Sequence, residues 1–263
     1  MATPEFDNII LEYRNDVGII KLNAPQVLNA LDGAMLTELN AAIEDVIASP
    51  SRCLLLTSEG RAFCAGANLQ SLGASDSPLP PAGHVLESHY LPIMSRLRTM
   101  EIPMVTAING PAVGIGMSLA IMSDFAVAVK EAYFLQAFAN IGLVPDGGAT
   151  WLLPRIVGWR RAMELSMLAE RLSAEQALEW GLINRVVEAD QLLDEAMVVA
   201  EKFAHGPRSL GLIRQLYWES FNNGFAEQFQ LEVVNQRKAE RSEDNREGIK
   251  AFLEKRPAVF KGR

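Results

Sequence analysis

The sequence predicts an α/β fold in which strands and helices alternate, followed by a helical C-terminal part. Two observations support this prediction. Strand-like and helix-like segments with short connections alternate up to about residue 150, as in layered α/β proteins. After Trp151 the apolar periodicity becomes helical and strand signals almost disappear. We therefore expect an α/β core in residues 1–190 and a helical region in residues 191–263.

The first elements are a hairpin, a helix and a buried strand. "IILEYRNDVGIIKL" alternates apolar and polar residues around Arg14, Asn15 and Asp16, which predicts a β-hairpin. Asp32 is placed to cap the helix "GAMLTELNAAIEDVIA", whose apolar residues share one face. "CLLLTS" predicts a short buried strand. The proline-rich residues 75–83, "SDSPLPPAG", predict a mobile surface loop.

The middle of the chain continues the alternation. Residues 84–100 predict a helix that Pro92 either starts or kinks. "PMVTAI" and "FAVAV" predict strands on either side of the turn "NGPAVG" and the buried helix "IGMSLAIMS". The last segment is a charged helical tail, which we expect to be interrupted at Gly248.

Charge and cysteine content exclude several functional classes. The 263 residues carry a net charge of −8, so no broad basic field is available to attract nucleic acid or an anionic membrane. No apolar run reaches the length of a membrane span, and the N-terminus lacks the pattern of a signal peptide. We interpret Cys53 and Cys64 as reduced thiols and expect a cytoplasmic protein. No cluster has metal-ligand spacing, so we expect no metal.

Three stretches carry the chemical signal. Asp146 is the only carboxylate in "FANIGLVPDGGATWLLPR", where it is either a helix cap or an acid that does chemistry. "AFCAGANL" and "INGPAVGIGMSLA" place small residues where a strand meets a helix. Such residues let a ligand approach free backbone N–H groups, although they also allow tight helix packing. Together the three stretches contain two amide donors and a base.

Five motifs in order make the sequence similar to a known superfamily. They are "LNAPQVLNAL", "RAFCAGANL", "INGPAVGIGMSLAIMSD", "PDGGATWLLPRIVG" and "SAEQALEWGLINRVV". They resemble the crotonase, or enoyl-CoA hydratase/isomerase, superfamily, and the likeness covers nearly the whole chain. It implies stacked ββα repeats, a helical trimerisation region, and trimers or dimers of trimers. It also implies an acyl-CoA thioester substrate, an enolate held by two backbone amides, and no separate cofactor.

The resemblance assigns roles to residues of this chain by motif position. The oxyanion amides would be those of Ala67 and Ile115, and Ile115 replaces the usual glycine, which is tolerable if its φ is negative. The residues expected to contact the substrate or its CoA portion are Ala65, Asn68, Leu69, Phe138, Phe252 and Lys255. The last two would reach the nucleotide end of CoA, often from a neighbouring subunit. Arg61 and Lys255 are the cations expected near its phosphates.

Departures from the family pattern set the predicted reaction. Hydratases of the superfamily carry two glutamates where this chain has Ser118 and Phe138, and the acid is instead Asp146. That placement resembles enoyl-CoA isomerases and the ring-epoxide isomerases of the phenylacetate pathway. We expect an isomerase in which one carboxylate moves a proton from C2 to C4. The alternatives are a hydratase-like enzyme, an aryl-CoA dehalogenase-like enzyme with a nucleophilic Asp146, and a non-catalytic CoA-binding protein.

Overall fold

A computed structural model describes residues 5–69 and 82–263 of the chain. Its main sheet has six strands in the order β1-β2-β3-β4-β6-β9, antiparallel in the first pair and parallel from β2 onward. The strands are β1 (Ile9–Arg14), β2 (Val17–Leu22), β3 (Cys53–Ser58), β4 (Met104–Ile108), β6 (Phe125–Val129) and β9 (Arg185–Val187). The mixed α/β architecture predicted from the sequence is confirmed.

The predicted hairpin and the first helix cap are both present. Asn15 and Asp16 connect β1 to β2 with φ of 52° and 62°, the left-handed pair that a two-residue hairpin turn requires. The Asp32 carboxylate accepts a hydrogen bond from Met35 N at 3.0 Å and caps helix α1 (Gly33–Ala48).

A second, smaller sheet lies beside the first. It contains β5 (Ala112–Val113), β7 (Tyr133–Leu135) and β8 (Leu172–Ser173), with β5 and β7 parallel. The strands β8 and β9 both follow Trp151, in the region where almost no strand was expected. They have two and three residues, too few for an alternating pattern to be visible in the sequence.

The helices cover the sheets and continue to the end of the chain. After α1 they are α2 (Ala82–Val85), α3 (Leu91–Thr99), α4 (Ile115–Ala120), α5 (Ala149–Ile156), α6 (Trp159–Leu168), α7 (Ala174–Glu179), α8 (Leu192–Ala204), α9 (Ser209–Ser220), α10 (Phe225–Glu240) and α11 (Glu243–Glu254). A π-helical turn, Leu86–Tyr90, joins α2 to α3, and Pro92 lies in the first turn of α3. Leu91 N still donates to Leu86 O in the π-helical turn, whereas Pro92 has no N–H to continue this pattern.

The C-terminal helices differ from expectation in one place. The tail is interrupted at Arg241 and Ser242, not at Gly248, which lies inside α11. Ser242 starts the new helix by accepting a hydrogen bond from Asn245 N at 3.0 Å. Helix α8 packs on β3, β4 and β6, and α10 packs on α9, which is joined to the residue before β6 by the hydrogen bond from Arg214 Nε to Asp124 Oδ2. The boundary at residue 190 stays a prediction.

Two expected absences concern membranes and metals. Within residues 5–69 and 82–263, no helix is long and apolar enough to cross a bilayer. The same residues contain no group of three His, Cys, Asp or Glu side chains placed to hold a metal ion. Most of the 75–83 loop predicted to be mobile lies outside the described residues.

Candidate active site

Two loops with free backbone N–H groups lie directly against each other. These donor loops, residues 62–69 and 108–116, are joined by hydrogen bonds from Cys64 N to Pro111 O (3.1 Å) and from Val113 N to Cys64 O (2.9 Å). Gly66 has φ of +95°, and a Cβ on it would lie 2.9 Å from the Val113 carbonyl oxygen. Backbone contact therefore fixes the separation of the loops and leaves no room for a side chain at residue 66.

The N–H groups of Ala67 and Ile115 have no acceptor among the residues that the structure describes. Leu31 N donates to Gly66 O and Asn68 N donates to Leu31 O. These two hydrogen bonds lie on either side of Ala67 and do not use its N–H. Ile115 is the first residue of α4, where N–H groups have no intrahelical acceptor. Neither N–H donates to any described residue. Isoleucine can replace the usual glycine at residue 115 because its φ is not positive, as was required of this replacement.

Asp146 lies in the wall of a large, mainly apolar cavity. The cavity has a volume of about 670 Å³, enough for an acyl group. The residues that line it with Asp146 come from α2, the π-helical turn, α3, the turn after α4, α5, α9 and the 143–148 loop. The larger ones are Leu86, Tyr90, Leu91, Met94, Arg98, Met122, Leu143, Val144, Trp151, Leu152 and Trp218. Arg98 is the only other charged residue among the described lining.

Burial changes the acid–base properties of Asp146. Its Oδ1 is buried without a hydrogen-bond partner among the described residues. Desolvation by its surroundings raises the pKa of the carboxyl from 3.8 to about 6. Leu143 and Trp151 were expected to cause this desolvation and do line the cavity, but Phe138 and Ile141 do not. A carboxyl with a pKa near 6 is suited to both taking up and releasing a proton at neutral pH.

The helix-cap interpretation of Asp146 is wrong. Helix α5 begins at Ala149 after Gly148, and no side chain caps its N-terminus. Asp146 contributes only its main-chain carbonyl, which accepts from Ala149 N at 3.0 Å. The opposing effect on the pKa that was expected from a helix start at Gly147 stays a prediction, and the helix begins two residues later, at Ala149. The carboxylate is free for another role.

The acid is held against the same helix that begins with Ile115. Ser118 Oγ donates to the Asp146 carbonyl at 2.9 Å. Gly147 has φ of +58°, and a Cβ on it would lie 2.8 Å from Ile115 Cγ1. We call residues 142–148 the acid loop. Because Ser118 and Gly147 attach this loop to α4, the carboxylate and the second donor N–H belong to one rigid unit.

The other residues expected at the first donor loop lie there. Ala65 N bonds to Leu28 O at 3.0 Å, Asn68 is half-buried, and Leu69 is exposed. Phe138 is buried with its ring against Gly114, since a Cβ on that glycine would lie 3.7 Å from the ring. Phe138 therefore supports the second donor loop and does not line the cavity that contains Asp146.

Three residues expected near CoA are not brought to the cavity. Phe252, 82% exposed, lies in the last turn of α11, and Lys255 follows that helix with φ of 51°. Arg61 is exposed at the start of the first donor loop. None of the three lines the cavity with Asp146 within the described part of the chain.

Sequence reasoning missed three residues of this site. Ser118 was considered only as the position where hydratases have a glutamate, and its hydrogen bond to the acid loop could not be foreseen. Tyr90 and Trp218 line the cavity from segments that predict ordinary amphipathic helices. The ring of Trp218 stacks on that of Trp151, with the ring centroids 5.6 Å apart. This contact between distant segments leaves no local signal in the sequence.

Comparison with known proteins establishes the family. The family model for enoyl-CoA hydratase/isomerase matches residues 12–263. The chain belongs to the enoyl-CoA hydratase/isomerase family. The predicted crotonase superfamily and fold are thereby confirmed, and the fold agrees with a solved enoyl-CoA hydratase subunit I from Geobacillus kaustophilus HTA426. That structure has a TM-score of 0.91 and 36% identity, with 99% of this chain and 100% of the other covered.

Two relatives show which family members the chain is similar to. It is 41% identical to a 1,2-epoxyphenylacetyl-CoA isomerase of Escherichia coli K12, over 97% of this chain and 98% of the relative. It is 35% identical to a mitochondrial enoyl-CoA hydratase of Pongo abelii, over 97% and 88%. The expected likeness to the isomerase branch of this enzyme family is confirmed by the first relative.

Proposed function

We propose that the protein is an acyl-CoA isomerase in which Asp146 is the single proton shuttle. The observation that carries the proposal is the unpartnered, half-buried carboxylate in an apolar cavity, attached to the helix that begins at Ile115. A structural carboxylate would be expected to have a partner at this depth. A pKa raised to about 6 serves a group that must exchange protons with carbon acids.

The proposed reaction needs one base and two donors. Ionised Asp146 takes a proton from C2 of a 3-enoyl-CoA, and the electron pair moves onto the thioester oxygen to form an enolate. The N–H groups of Ala67 and Ile115 donate to that oxygen, each contributing about 3–4 kcal/mol to transition-state stabilisation. The proton then returns from Asp146 to C4, and the double bond lies between C2 and C3. Atoms and charge balance without a further cofactor or a metal.

Hydration is disfavoured by the residues at the hydratase positions. Ser118 donates to the Asp146 carbonyl, and Phe138 packs behind Gly114. Neither can activate water as a second carboxylate would. The similarity to a 1,2-epoxyphenylacetyl-CoA isomerase supports a second substrate type, an acyl-CoA with an oxygenated ring. The same two N–H donors and the same carboxylate would rearrange that ring.

The remaining assignments concern CoA and assembly. We propose that Ala65, Asn68 and Leu69 run along the CoA chain, while Phe252 and Lys255 reach the nucleotide of a neighbouring protomer. Their exposure and their separation from the cavity of their own chain support a contribution across an interface.

We propose a homotrimer or a dimer of trimers, and a stable monomer in light scattering at micromolar concentration would refute it. The buried, unpaired thiols of Cys53 and Cys64 support a reducing, cytoplasmic location.

A two-substrate assay tests the proposed reaction. The wild-type protein should convert 3-hexenoyl-CoA to 2-hexenoyl-CoA, followed by the absorbance of the conjugated product. It should hydrate crotonyl-CoA slowly or not at all, followed by loss of the same absorbance and by mass. Oxygenated ring acyl-CoAs belong in the same panel, with products identified by mass. Rapid hydration without isomerisation would overturn the proposal.

A further inference from the structure

The cavity contains a tyrosine hydroxyl that neither the fold nor the proposed proton shuttle uses. Tyr90 ends the π-helical turn Leu86–Tyr90 and lines the cavity together with Asp146. Tyr90 is only 6% exposed, yet no hydrogen bond to a described residue contributes to the pKa of its phenol. The hydroxyl oxygen is not completely covered by protein, so it is accessible from the cavity. Buried polar groups without partners are costly and call for an explanation.

The position of Tyr90 is central to the site. Burial first, and then the neighbouring acidic groups of Cys64, Asp146 and Asp32, raise the pKa of its phenol. Tyr90 lines the same cavity as Asp146 of the acid loop, and its phenol is also within electrostatic range of Cys64 in the first donor loop. The phenol stays protonated at neutral pH and acts as a hydrogen-bond donor, never as a base.

The local backbone supports a role in binding. An extra residue in a helical turn re-aims the side chains around it, and π-helical turns of this kind occur frequently at functional sites. Here the turn precedes α3, whose Met94 and Arg98 also line the cavity. No hydrogen bond joins the Tyr90 hydroxyl to the Asp146 carboxylate, since desolvation is the single cause of the raised pKa of Asp146.

We propose that Tyr90 is a specificity-determining residue whose hydroxyl donates to an oxygen carried by the acyl group of the substrate. This inference rests on the proposed acyl-CoA function and narrows its substrate class. A pure hydrocarbon chain would leave the phenol buried without an acceptor, whereas an acyl group with an ether, epoxide, carbonyl or hydroxyl oxygen near C3 to C5 would satisfy it. Sites built to hydrogen-bond a substrate group discriminate strongly against analogues that lack it.

A binding experiment with unreactive isosteres tests this proposal. The probes are hexanoyl-CoA and the three saturated analogues in which oxygen replaces one methylene: propoxyacetyl-CoA, 3-ethoxypropanoyl-CoA and 4-methoxybutanoyl-CoA. Dissociation constants are measured by titration calorimetry for the wild type and for Tyr90→Phe, which removes one oxygen atom. At least one ether should bind the variant about three- to tenfold more weakly, while hexanoyl-CoA binding changes by less than about twofold.

The controls separate this proposal from the proposed function. Tyr217→Phe, at an exposed tyrosine that does not line the cavity, should leave all four dissociation constants unchanged. An equal change for hexanoyl-CoA and every ether in Tyr90→Phe, or no change for any of them, would overturn the role of Tyr90 alone. Failure of the wild type to bind any of the four probes would instead overturn the acyl-CoA function. Thermal melting of each variant verifies that it is folded.

Discussion

The two halves of the site are built on different principles. The donor loops are fixed by backbone contact, including hydrogen bonds of 2.9 and 3.1 Å between Cys64, Val113 and Pro111. The acid loop is exposed on its outer side, where Val144 is 77% exposed, and it is attached to α4 through Ser118 and Gly147. The donors are main-chain groups that any residue supplies, whereas the acid is one side chain.

This difference has a consequence for mutations. The chemistry of the donor half survives a change of side chain and fails when backbone geometry changes. The chemistry of the acid half fails when one functional group is replaced, even if the geometry is kept. Substitutions that change the backbone geometry but retain the carboxylate, or the reverse, therefore distinguish the two halves.

The largest effect is expected for Asp146→Asn. The amide retains the size of the side chain but cannot accept a proton from C2, so kcat for 3-hexenoyl-CoA should fall on the order of 10²–10⁴-fold. KM should change little, because the carboxylate is not a main binding contact. Steady-state kinetics of the purified variant measure both quantities. Activity within tenfold of the wild type would mean that another group moves the proton.

Thermal stability is the control for this variant. The folded-state pKa of Asp146 lies above its unfolded value, so its contribution to stability decreases as pH rises from about 4 to about 6. Asp146→Asn removes the buried charge and should raise the melting temperature at pH 7.5 by about 2–4 °C, with the gain disappearing at pH 4. A lower melting temperature at pH 7.5 would indicate a structural partner for the carboxylate.

The donor half is tested by Gly66→Ala. The new Cβ would lie 2.9 Å from Val113 O at a φ of +95°, so the loops must separate and the N–H of Ala67 must shift. Loss of one oxyanion donor typically lowers kcat about 10²-fold. Gly181→Ala is the matched control, since that glycine also has positive φ, +75°, but meets nothing within 4 Å. Both variants should lose stability from the positive φ, Gly66→Ala more because of its contact with Val113 O, and only Gly66→Ala should lose activity.

Sequence patterns marked the donor half and the acid half in different ways. Small residues at two strand-to-helix corners marked the two donor loops, because close backbone approach demands such residues, whereas the assignment of Ala67 and Ile115 came from the resemblance to the superfamily and stays a prediction. The lone carboxylate marked Asp146, yet the pattern could not tell a cap from a base, since both need an acid before a helical segment. The helix start at Ala149 excludes the cap, and the unpartnered Oδ1 supports the proposed base.

Contacts between distant segments set the limits of prediction. Tyr90 and Trp218 come from separate helical segments, and each has the spacing of an ordinary core residue. The strands β8 and β9 are too short to show alternation, and Ser242 was not recognised as the cap that starts α11. Alternating strand and helix signals predicted the α/β class and family likeness added the crotonase fold, whereas the side-chain environment of the cavity emerges only from tertiary packing.

The pH dependence of activity sharpens the assignment of the acid. Burial raises the pKa of Asp146 to about 6, and the base must be ionised to take a proton from C2. The value of kcat/KM should therefore fall about tenfold per pH unit below about 6 and level off above it, because this parameter reports the free enzyme. Rates with 3-hexenoyl-CoA between pH 4.5 and 8.5 measure the profile. A midpoint near 4 would contradict desolvation of the acid in solution.

The smallest effect is expected where the two halves join, at Ser118→Ala. The variant loses the hydrogen bond from Ser118 Oγ to the Asp146 carbonyl, 2.9 Å long, but keeps both the carboxylate and the donor loops. The acid loop should become less well positioned, so kcat should fall about three- to tenfold and stability by about 1 kcal/mol, with KM nearly unchanged. Kinetics and chemical denaturation measure the two losses.

The matched control is Ser123→Ala, which removes a hydroxyl that bonds to Ala120 O just after the same helix and does not contact the acid loop. It should leave kcat unchanged. The midpoint of the pH profile should also stay near 6 in Ser118→Ala, because the serine bonds to the carbonyl and not to the carboxylate. A shifted midpoint would mean that Ser118 acts on the charge of Asp146. An equal loss of kcat in both variants would mean that α4 tolerates no cavity, and that the hydrogen bond itself contributes nothing to positioning the acid.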